Sequence, residues 1–428
     1  MKIIFRTISL CLAIAFQSSA QNTYFPPVNN NLPWETISPN ALGWCSNKID
    51  SLYAFLQQEN TKGFIVLKDG KIVLEKYFGN FTQDSSWYWA SAGKTLTAFL
   101  IGQAQESGFL SINNTSSTYL GNGWTNCTTQ QENNIKIRNQ LTMTSGLDDA
   151  VADNHCTLDS CLIYKAPAGT RWAYHNAPYT LLEKVIVNAA GQSINTFTQT
   201  KLKNQTGITG LWYTFDYDNV FISKPRSMAR FGLLIQNKGV WNNDTLLHDA
   251  SYFQQMTNTS QSLNLSYGYL WWLNGKSSFM VPTLQTIFPG SYAPHAPLDM
   301  IAGLGKNGQI LSIAPSQKLI VVRMGEQASS SSSDITIALC DQIWDKLNAA
   351  MYCNATFSFT GNGNWTDAAN WSNSSIPPPI LPAGSKIIID PVAAGECILN
   401  TQQQINQGAT ITVNSGKKFR VVGSLIQQ

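Results

Sequence analysis

Ile49, Leu52, Phe55 and Leu56 recur at helical spacing, which predicts an amphipathic helix over about residues 46–58. β-Branched runs then flank Lys68-Asp-Gly-Lys71 within GFIVLKDGKIVLEKYFG (63–79). Asp-Gly suits a tight two-residue turn, so this stretch reads as a hairpin. Residues 91–107 carry a further helical pattern stopped by Gly108, and 135–149 read as a short helix and loop. Helices are also predicted at about 178–190 and in SKPRSMARFGLLIQNKG (223–239), the latter ended by Gly239. Strand patterns return at 267–272, 309–314 and 318–324, the last pair turning at Pro315-Ser316-Gln317, before a final helix at about 334–351. Helix, hairpin, long helical insertion, strands and helix imply an antiparallel sheet. Its first and last helices would cover one face, with helices on the other.

At about Cys353 the character changes. TGNGNWTDAANWSNSSIPPPILPAG (360–384) is turn-rich and nearly without charge, and short alternating runs follow at 387–389, 409–413 and 419–422. This predicts a small β-rich C-terminal module over 353–428, behind a larger domain over 21–352. The dipeptides Asn364-Trp365 and Asn370-Trp371 suit loop anchors packed in a core ahead of sugar-stacking platforms. The chain's beginning differs again. Residues 1–20 have a basic start (Lys2, Arg6), an apolar run from Ile8 to Phe16 and a small-residue end at Ser18-Ser-Ala20, the pattern of a cleavable signal peptide. That run is too short to span a bilayer, and no later stretch approaches about 18 apolar residues. The expectation is an exported protein, secreted or periplasmic, mature from about Gln21.

Charge narrows the picture by exclusion. Only 12% of residues are charged, the net is +3 and no basic run exists, so nucleic acid and anionic membrane surfaces are poor partners. With four histidines and no zinc-type Cys/His spacing, neither a metal nor a cofactor is expected. Of the eight cysteines, Cys11 lies in the signal and an odd number remains, leaving at least one without an intramolecular partner. Export favours disulfides, and Cys156 with Cys161 form the expected bridge. Pairing among Cys45, Cys127, Cys340, Cys353 and Cys397 stays open, with Cys127 and Cys340 best suited to isolated thiols.

Candidate chemistry begins in WYWASAGKTL (87–96). Ser91-x-x-Lys94 at the first turn of a helix puts both side chains on one face, where a neutral lysine can take the serine proton. Lysine ordinarily titrates near ~10.4, so burial must lower it. Trp87, Tyr88 and Trp89 are the expected apolar walls. The spacing equally suits an N-cap serine with a surface lysine, and Ser415-x-x-Lys418 repeats it in a stretch with no other catalytic feature. Tyr174-His175-Asn176, at a loop-to-helix junction, is the candidate proton relay. If extended, this trio points Tyr174 and Asn176 one way and His175 the other. Tyr217-x-Asn219 and Tyr352-x-Asn354 match the same pattern, so neither motif decides alone. His155 and His175 are candidates for the border of the cleft, though a structural role suits each better.

Five segments in order decide more: YWASAGKTL, IRNQLTMTSGLDD, AGTRWAYHNAPYTLL, SMARFGLLIQNKGVW and AGLGKNGQILSIAPSQKLIVVR. Together they resemble the serine β-lactamase superfamily over about residues 45–350, in its class C-like branch of esterases, D-aminopeptidases and 6-aminohexanoate-oligomer hydrolases. The resemblance implies an α+β fold. This is a β-lactamase/transpeptidase-like antiparallel sheet flanked by helices, with a mostly helical insertion, plus the small C-terminal all-β module. It implies Ser91 as acylated nucleophile, Lys94 as general base, Tyr174 as proton shuttle and Asn176 as the side chain orienting Lys94 or the substrate.

The family's third motif, Lys/His-x-Gly on a strand lining the site, is where the sequence departs. Counting back from Pro315 puts Ile301-Ala302-Gly303 there, with the Leu304 N–H joining that of Ser91 as an oxyanion hole. A second register, Lys306-Asn307-Gly308, spells the motif better but shortens the strand. With Ile301 in place of a cation, penicillin and D-Ala-D-Ala chemistry are disfavoured. The expected function is an exported serine hydrolase acting on a small-molecule or short-oligomer ester or amide. A penicillin-binding D-Ala-D-Ala carboxypeptidase or β-lactamase, and a non-catalytic secreted binding protein, are the alternatives. The C-terminal module is a candidate for binding glycan or a cell surface.

Overall fold

The computed structural model describes residues 23–329 and 336–427. The expected signal segment and the first residues of the expected 334–351 helix lie outside the described residues. The pattern at 46–58 forms the helix Ser46–Gln58, which buries Ile49, Leu52 and Leu56. Thr61–Lys68 and Lys71–Tyr77 form the hairpin, and Asp69 and Gly70 both take positive φ, 51° and 84°, as a two-residue turn of this hand requires.

The hairpin ends a six-stranded antiparallel sheet. Its order is Lys71–Tyr77, Thr61–Lys68, Leu319–Gly325, Gln309–Ala314, Ile301–Gly305 and Trp272–Leu273. Side-chain alternation along Gln309–Ala314 fixes the two covering layers. Leu311 faces the helix Pro225–Gln236, where a Cβ on Gly232 would lie 2.9 Å from Leu311 and 2.7 Å from Ile320. Ser312 faces the opposite layer and accepts from Trp344 Nε1 at 3.2 Å on the helix Ile337–Met351, which packs with Ser46–Gln58. The expected strand at 267–272 shrinks to Trp272–Leu273. Leu270 turns the chain at a φ of 61°, and Tyr267 folds back in a lone bridge to Trp272.

Arg323, fully buried, pins this sheet to the turn that follows Ile301–Gly305. Its guanidinium donates to Asn307 O at 2.6 Å, Gly308 O at 2.9 Å, Glu326 O at 3.1 Å, Thr61 Oγ1 at 3.1 Å and Glu59 O. An Arg323→Met variant would leave several buried carbonyls without donors, each worth about 1–3 kcal/mol. Thermal melts should show a loss of roughly 3 kcal/mol or more, and Arg323→Lys should recover only part of it, since an ammonium cannot reproduce the planar fork.

Among the described residues, two disulfides brace the chain. Cys156–Cys161 forms as expected, with Cα atoms 5.9 Å apart, and Cys45–Cys353 joins the start of the first helix to the segment after the last. Cys127, Cys340 and Cys397 are free thiols.

Beyond Cys353 the strand-rich region has a core of its own around Phe357, Phe359, Ile387, Ile389 and Leu399. Its strands stack in parallel rather than as hairpins. Thr356–Phe359, Lys386–Ile389 and Thr410–Val413 form one sheet. Gly363–Asn364, Glu396–Leu399 and Lys418–Val421 form a second, and Ile380–Leu381, Gln402–Ile405 and Ser424–Gln427 a third. Each turn of chain therefore lays one strand in each sheet, as in a solenoid. Trp365 and Trp371 are 1% and 3% exposed and meet edge to face at 4.7 Å, so both rings are spent on the core.

Candidate active site

Trp89 anchors the entry to the site. Its ring is buried against Phe221 and Phe231, and its Nε1 donates to Ser223 Oγ at 2.7 Å. Ala90 then takes a φ of 45°, a left-handed conformation that costs a non-glycine residue energy and clusters at functional sites. One 3₁₀ turn, Ala90–Gly93, leads into the helix Lys94–Glu106. Ser91 thus sits at the mouth of that helix, with Lys94 one turn on.

Lys94 Nζ donates to Ser91 Oγ at 2.9 Å and to Asn176 Oδ1 at 2.9 Å. The side chain is 3% exposed, and its Nζ lies 4.1 Å from the Tyr179 ring centre and 5.1 Å from that of Tyr174. Burial pulls its pKa down to about 7, against a weaker opposing pull from Asp218. The apolar walls are therefore these two tyrosines, not the Trp87–Trp89 triplet. Trp87 donates to Gly325 O at 3.2 Å and takes Lys62 on its face, and Tyr88 OH accepts from Asn307 Nδ2 at 2.7 Å.

Tyr174 is packed among Trp172, Tyr267 and Trp272, with its phenol beside the Ser91 side chain. Burial raises its pKa well above 10, so it stays a neutral phenol able to donate and receive a proton. The helix Asn176–Ala190 starts two residues later and places Asn176 against Lys94. His175, between them, points away. It is buried, neither ring nitrogen has a hydrogen-bond partner, and burial lowers it to about 4. His155, in contrast, belongs to the site's surroundings: Asn176 Nδ2 lies 3.1 Å from His155 Nε2 and 3.0 Å from Asn154 Oδ1.

The strand Ile301–Gly305 closes the other side. A Cβ on Gly305 would sit 3.1 Å from Ser91 N, 2.9 Å from Ala92 N and 2.6 Å from Trp89 O. Gly303, the motif glycine of the first sequence register, lies further along the helix, where a Cβ would meet Thr95 Cγ2 at 3.0 Å. Asn274 N donates to Met300 O, and Ala302 pairs with Trp272, so even-numbered residues turn their backbone groups toward the short edge strand. Past that strand's end, the same alternation turns the Leu304 N–H to this side, next to Gly305. Lys306-Asn307-Gly308 forms a 3₁₀ turn instead of continuing the strand.

A serine and a desolvated lysine share a hydrogen bond here, a neutral phenol lies beside the serine, and a strand edge passes its amide. The model of the family described as Beta-lactamase matches residues 55–338. The chain belongs to the Beta-lactamase family. Its fold is β-lactamase-like.

Among relatives of this β-lactamase-family chain, a Bacillus subtilis (strain 168) sequence named as penicillin-binding protein PbpX is 27% identical over 172 residues. That match covers 36% of this chain and 41% of the relative, so less than half of the relative's length is spanned. A Bacillus anthracis structure assigned as a 6-aminohexanoate-dimer hydrolase superposes with a TM-score of 0.57 at 18% identity, covering 74% of this chain and 87% of that one. A structure assigned as a β-lactamase from Bacteroides dorei DSM 17855 gives 0.56 at 16%, covering 72% and 99%. EstCE1, described as a hydrolase with promiscuous acyltransferase activity, gives 0.54 at 12%, covering 72% and 99%. At these identities the structural likenesses speak to the fold alone.

Ser91, Lys94, Tyr174 and Asn176 meet in one cluster of this β-lactamase fold. Sequence reasoning missed Tyr179 and Gly305 and undervalued His155. Tyr179 carries a signal in hindsight, since it follows Asn176 by three residues on one helix and so shares its face.

Proposed function

We propose that this protein is an exported serine hydrolase that cleaves a neutral ester or amide through an acyl-enzyme on Ser91. The observation that carries this reading is the 2.9 Å hydrogen bond between Lys94 Nζ and Ser91 Oγ inside a cage that lowers the lysine to about 7. Neutral Lys94 takes the Ser91 proton as Oγ attacks the substrate carbonyl carbon. The oxyanion is met by the N–H of Ser91 and by a strand-edge N–H beside Gly305. Tyr174 passes its proton to the leaving oxygen or nitrogen and is reprotonated by the Lys94 ammonium. Water then attacks the acyl-enzyme, with the same groups taking its proton, and the acid leaves.

Neutral substrates are favoured because no cation stands at the start of the strand motif. Ile301 is 8% exposed and pairs with Ile313 and Leu273, and a register centred on Gly305 puts Gly303 at that position. The two disulfides suit an exported protein. With Trp365 and Trp371 buried, any glycan or surface binding by the C-terminal region would have to use other side chains. The name of the Bacillus subtilis relative supports a second reading, penicillin binding, in the same site.

The test is covalent labelling. A fluorophosphonate should modify Ser91, short-chain p-nitrophenyl esters should be hydrolysed, and Ser91→Ala should do neither. Wild-type protein that does neither would sink the proposal, and Ser91-dependent labelling by a fluorescent penicillin would move it to the second reading. The labelling rate should also climb as pH rises through about 7, because the reactive form of Lys94 is the deprotonated one. A rate flat from pH 5 to 9 would remove Lys94 as the base.

A further inference from the structure

We propose that His155, held by Asp218 and by the Cys156–Cys161 loop, is a positioning residue that fixes the Asn176 carboxamide with its oxygen toward Lys94. The inference rests on Lys94 acting as the base. The Lys94 ammonium offers Asn176 only donors, and the neutral amine must keep its lone pair for the Ser91 proton, so Asn176 must present Oδ1. The two ends of a carboxamide have the same shape, so packing does not choose between them, and the lysine's preference for oxygen is one hydrogen bond among several.

What fixes the choice lies on the far side. Asn176 Nδ2 has two acceptors, Asn154 Oδ1 at 3.0 Å and His155 Nε2 at 3.1 Å. His155 Nε2 accepts only when the ring proton is on Nδ1. Asp218 Oδ1, 2.8 Å from His155 Nδ1, selects that tautomer. Asp218 opens the strand Asp218–Ser223, which pairs with Trp87–Tyr88 immediately before the serine turn. The backbone around His155 is tied as well: His155 N donates to Asp153 Oδ1 at 2.9 Å, and Ala177 N donates to Asn154 O at 2.9 Å. The disulfide begins at the next residue, Cys156, and closes a loop of a single turn. Asp218, His155, Asn176 and Lys94 thus form one hydrogen-bonded chain. Through it His155 bears on the lysine without touching a reacting atom.

The experiment compares wild-type protein with His155→Phe, which keeps a ring but no acceptor, and His155→Gln, which keeps an acceptor. Fluorophosphonate labelling and ester hydrolysis are followed from pH 5 to 9, with thermal melts alongside. His155→Phe should label and turn over about tenfold more slowly or worse, with KM within about twofold of wild type. Its acid limb should move to lower pH, because an N–H turned toward Lys94 disfavours the ammonium. The titratable groups facing that amine are Tyr174, Tyr179 and, further off, Asp218. His155→Gln should recover most of the rate, and the melts should coincide. Asp218→Ala, and the double variant Cys156→Ser with Cys161→Ser, should move rate and acid limb in the same direction if His155→Phe folds poorly. Variants that label at the wild-type rate with an unshifted limb would overturn the positioning role. Failure of the wild-type protein itself to label at Ser91 would instead overturn the hydrolase reading beneath it.

Discussion

A Lys94→Met variant should be inactive and yet melt at a higher temperature than the parent protein at pH 6. Burial lowers this lysine from an ordinary value of 10.5 to about 7. Below pH 7 the amine is charged in folded and unfolded chains alike, and the folded state carries the whole cost of a desolvated ammonium. For that shift the cost is about 5 kcal/mol, at roughly 1.36 kcal/mol per unit. Between pH 7 and 10.5 the unfolded chain binds a proton that the folded chain does not, so stability rises with pH across that window. Above it the penalty is gone. Methionine removes the penalty but takes a donor from Asn176 Oδ1 and from Ser91 Oγ, a loss of about 1.5 kcal/mol each and so roughly 3 kcal/mol in all. Desolvation wins at pH 6, leaving a gain of roughly 2 kcal/mol, and the order should reverse by pH 10. Melts at the two pH values read this directly. A parent that outlasts the variant at pH 6 would mean that the hydrogen bonds outweigh the buried charge. The expected outcome is the familiar exchange of stability for a reactive group.

The same residues show what a linear sequence carries and where it stops. The hairpin at Asp69-Gly70 and the helix Ser46–Gln58 were legible because turn chemistry and side-chain period are local. The grouping of Ser91, Lys94, Tyr174 and Asn176 was legible only from the order of five segments, since each pair of residues recurs elsewhere in the chain. The walls around Lys94 were misread because Trp87–Trp89 adjoin Ser91 in sequence while the strand Trp87–Tyr88 and the turn at Trp89 direct them to other neighbours. Pairing of Cys45 with Cys353 was out of reach at a separation of 308 residues. The C-terminal turns hid for another reason. Their stacked strands begin at Thr356, Lys386 and Thr410, at unequal intervals, so no fixed period marks a repeat. The register of the site strand was ambiguous in principle. Gly303 and Gly305 are two apart and share a face, so alternation alone cannot choose between them.

That choice can be forced with one methyl group. Gly305→Ala should lower kcat/KM for a p-nitrophenyl ester by about 100-fold or more. The added Cβ would lie 2.6 Å from Trp89 O, 2.9 Å from Ala92 N and 3.1 Å from Ser91 N. All three are backbone atoms, and Trp89 is locked into the core by its ring contacts and its bond to Ser223, so neither side can yield cheaply. Either the strand edge or the serine turn must shift by a fraction of an ångström, and the distance between the Ser91 N–H and the edge N–H shifts with it. At Gly303 the added Cβ would lie 3.0 Å from the Thr95 methyl, a side-chain atom that can move, and 3.2 Å from its one backbone neighbour, Ala92 O. Gly303→Ala should therefore cost about tenfold or less. Fluorophosphonate labelling rates should rank the two variants the same way, because acylation already requires the oxyanion donors. Should Gly303→Ala prove the more damaging, the register beginning at Ile301 would be restored. Should Gly305→Ala keep full activity, this strand would not be what places the second oxyanion donor.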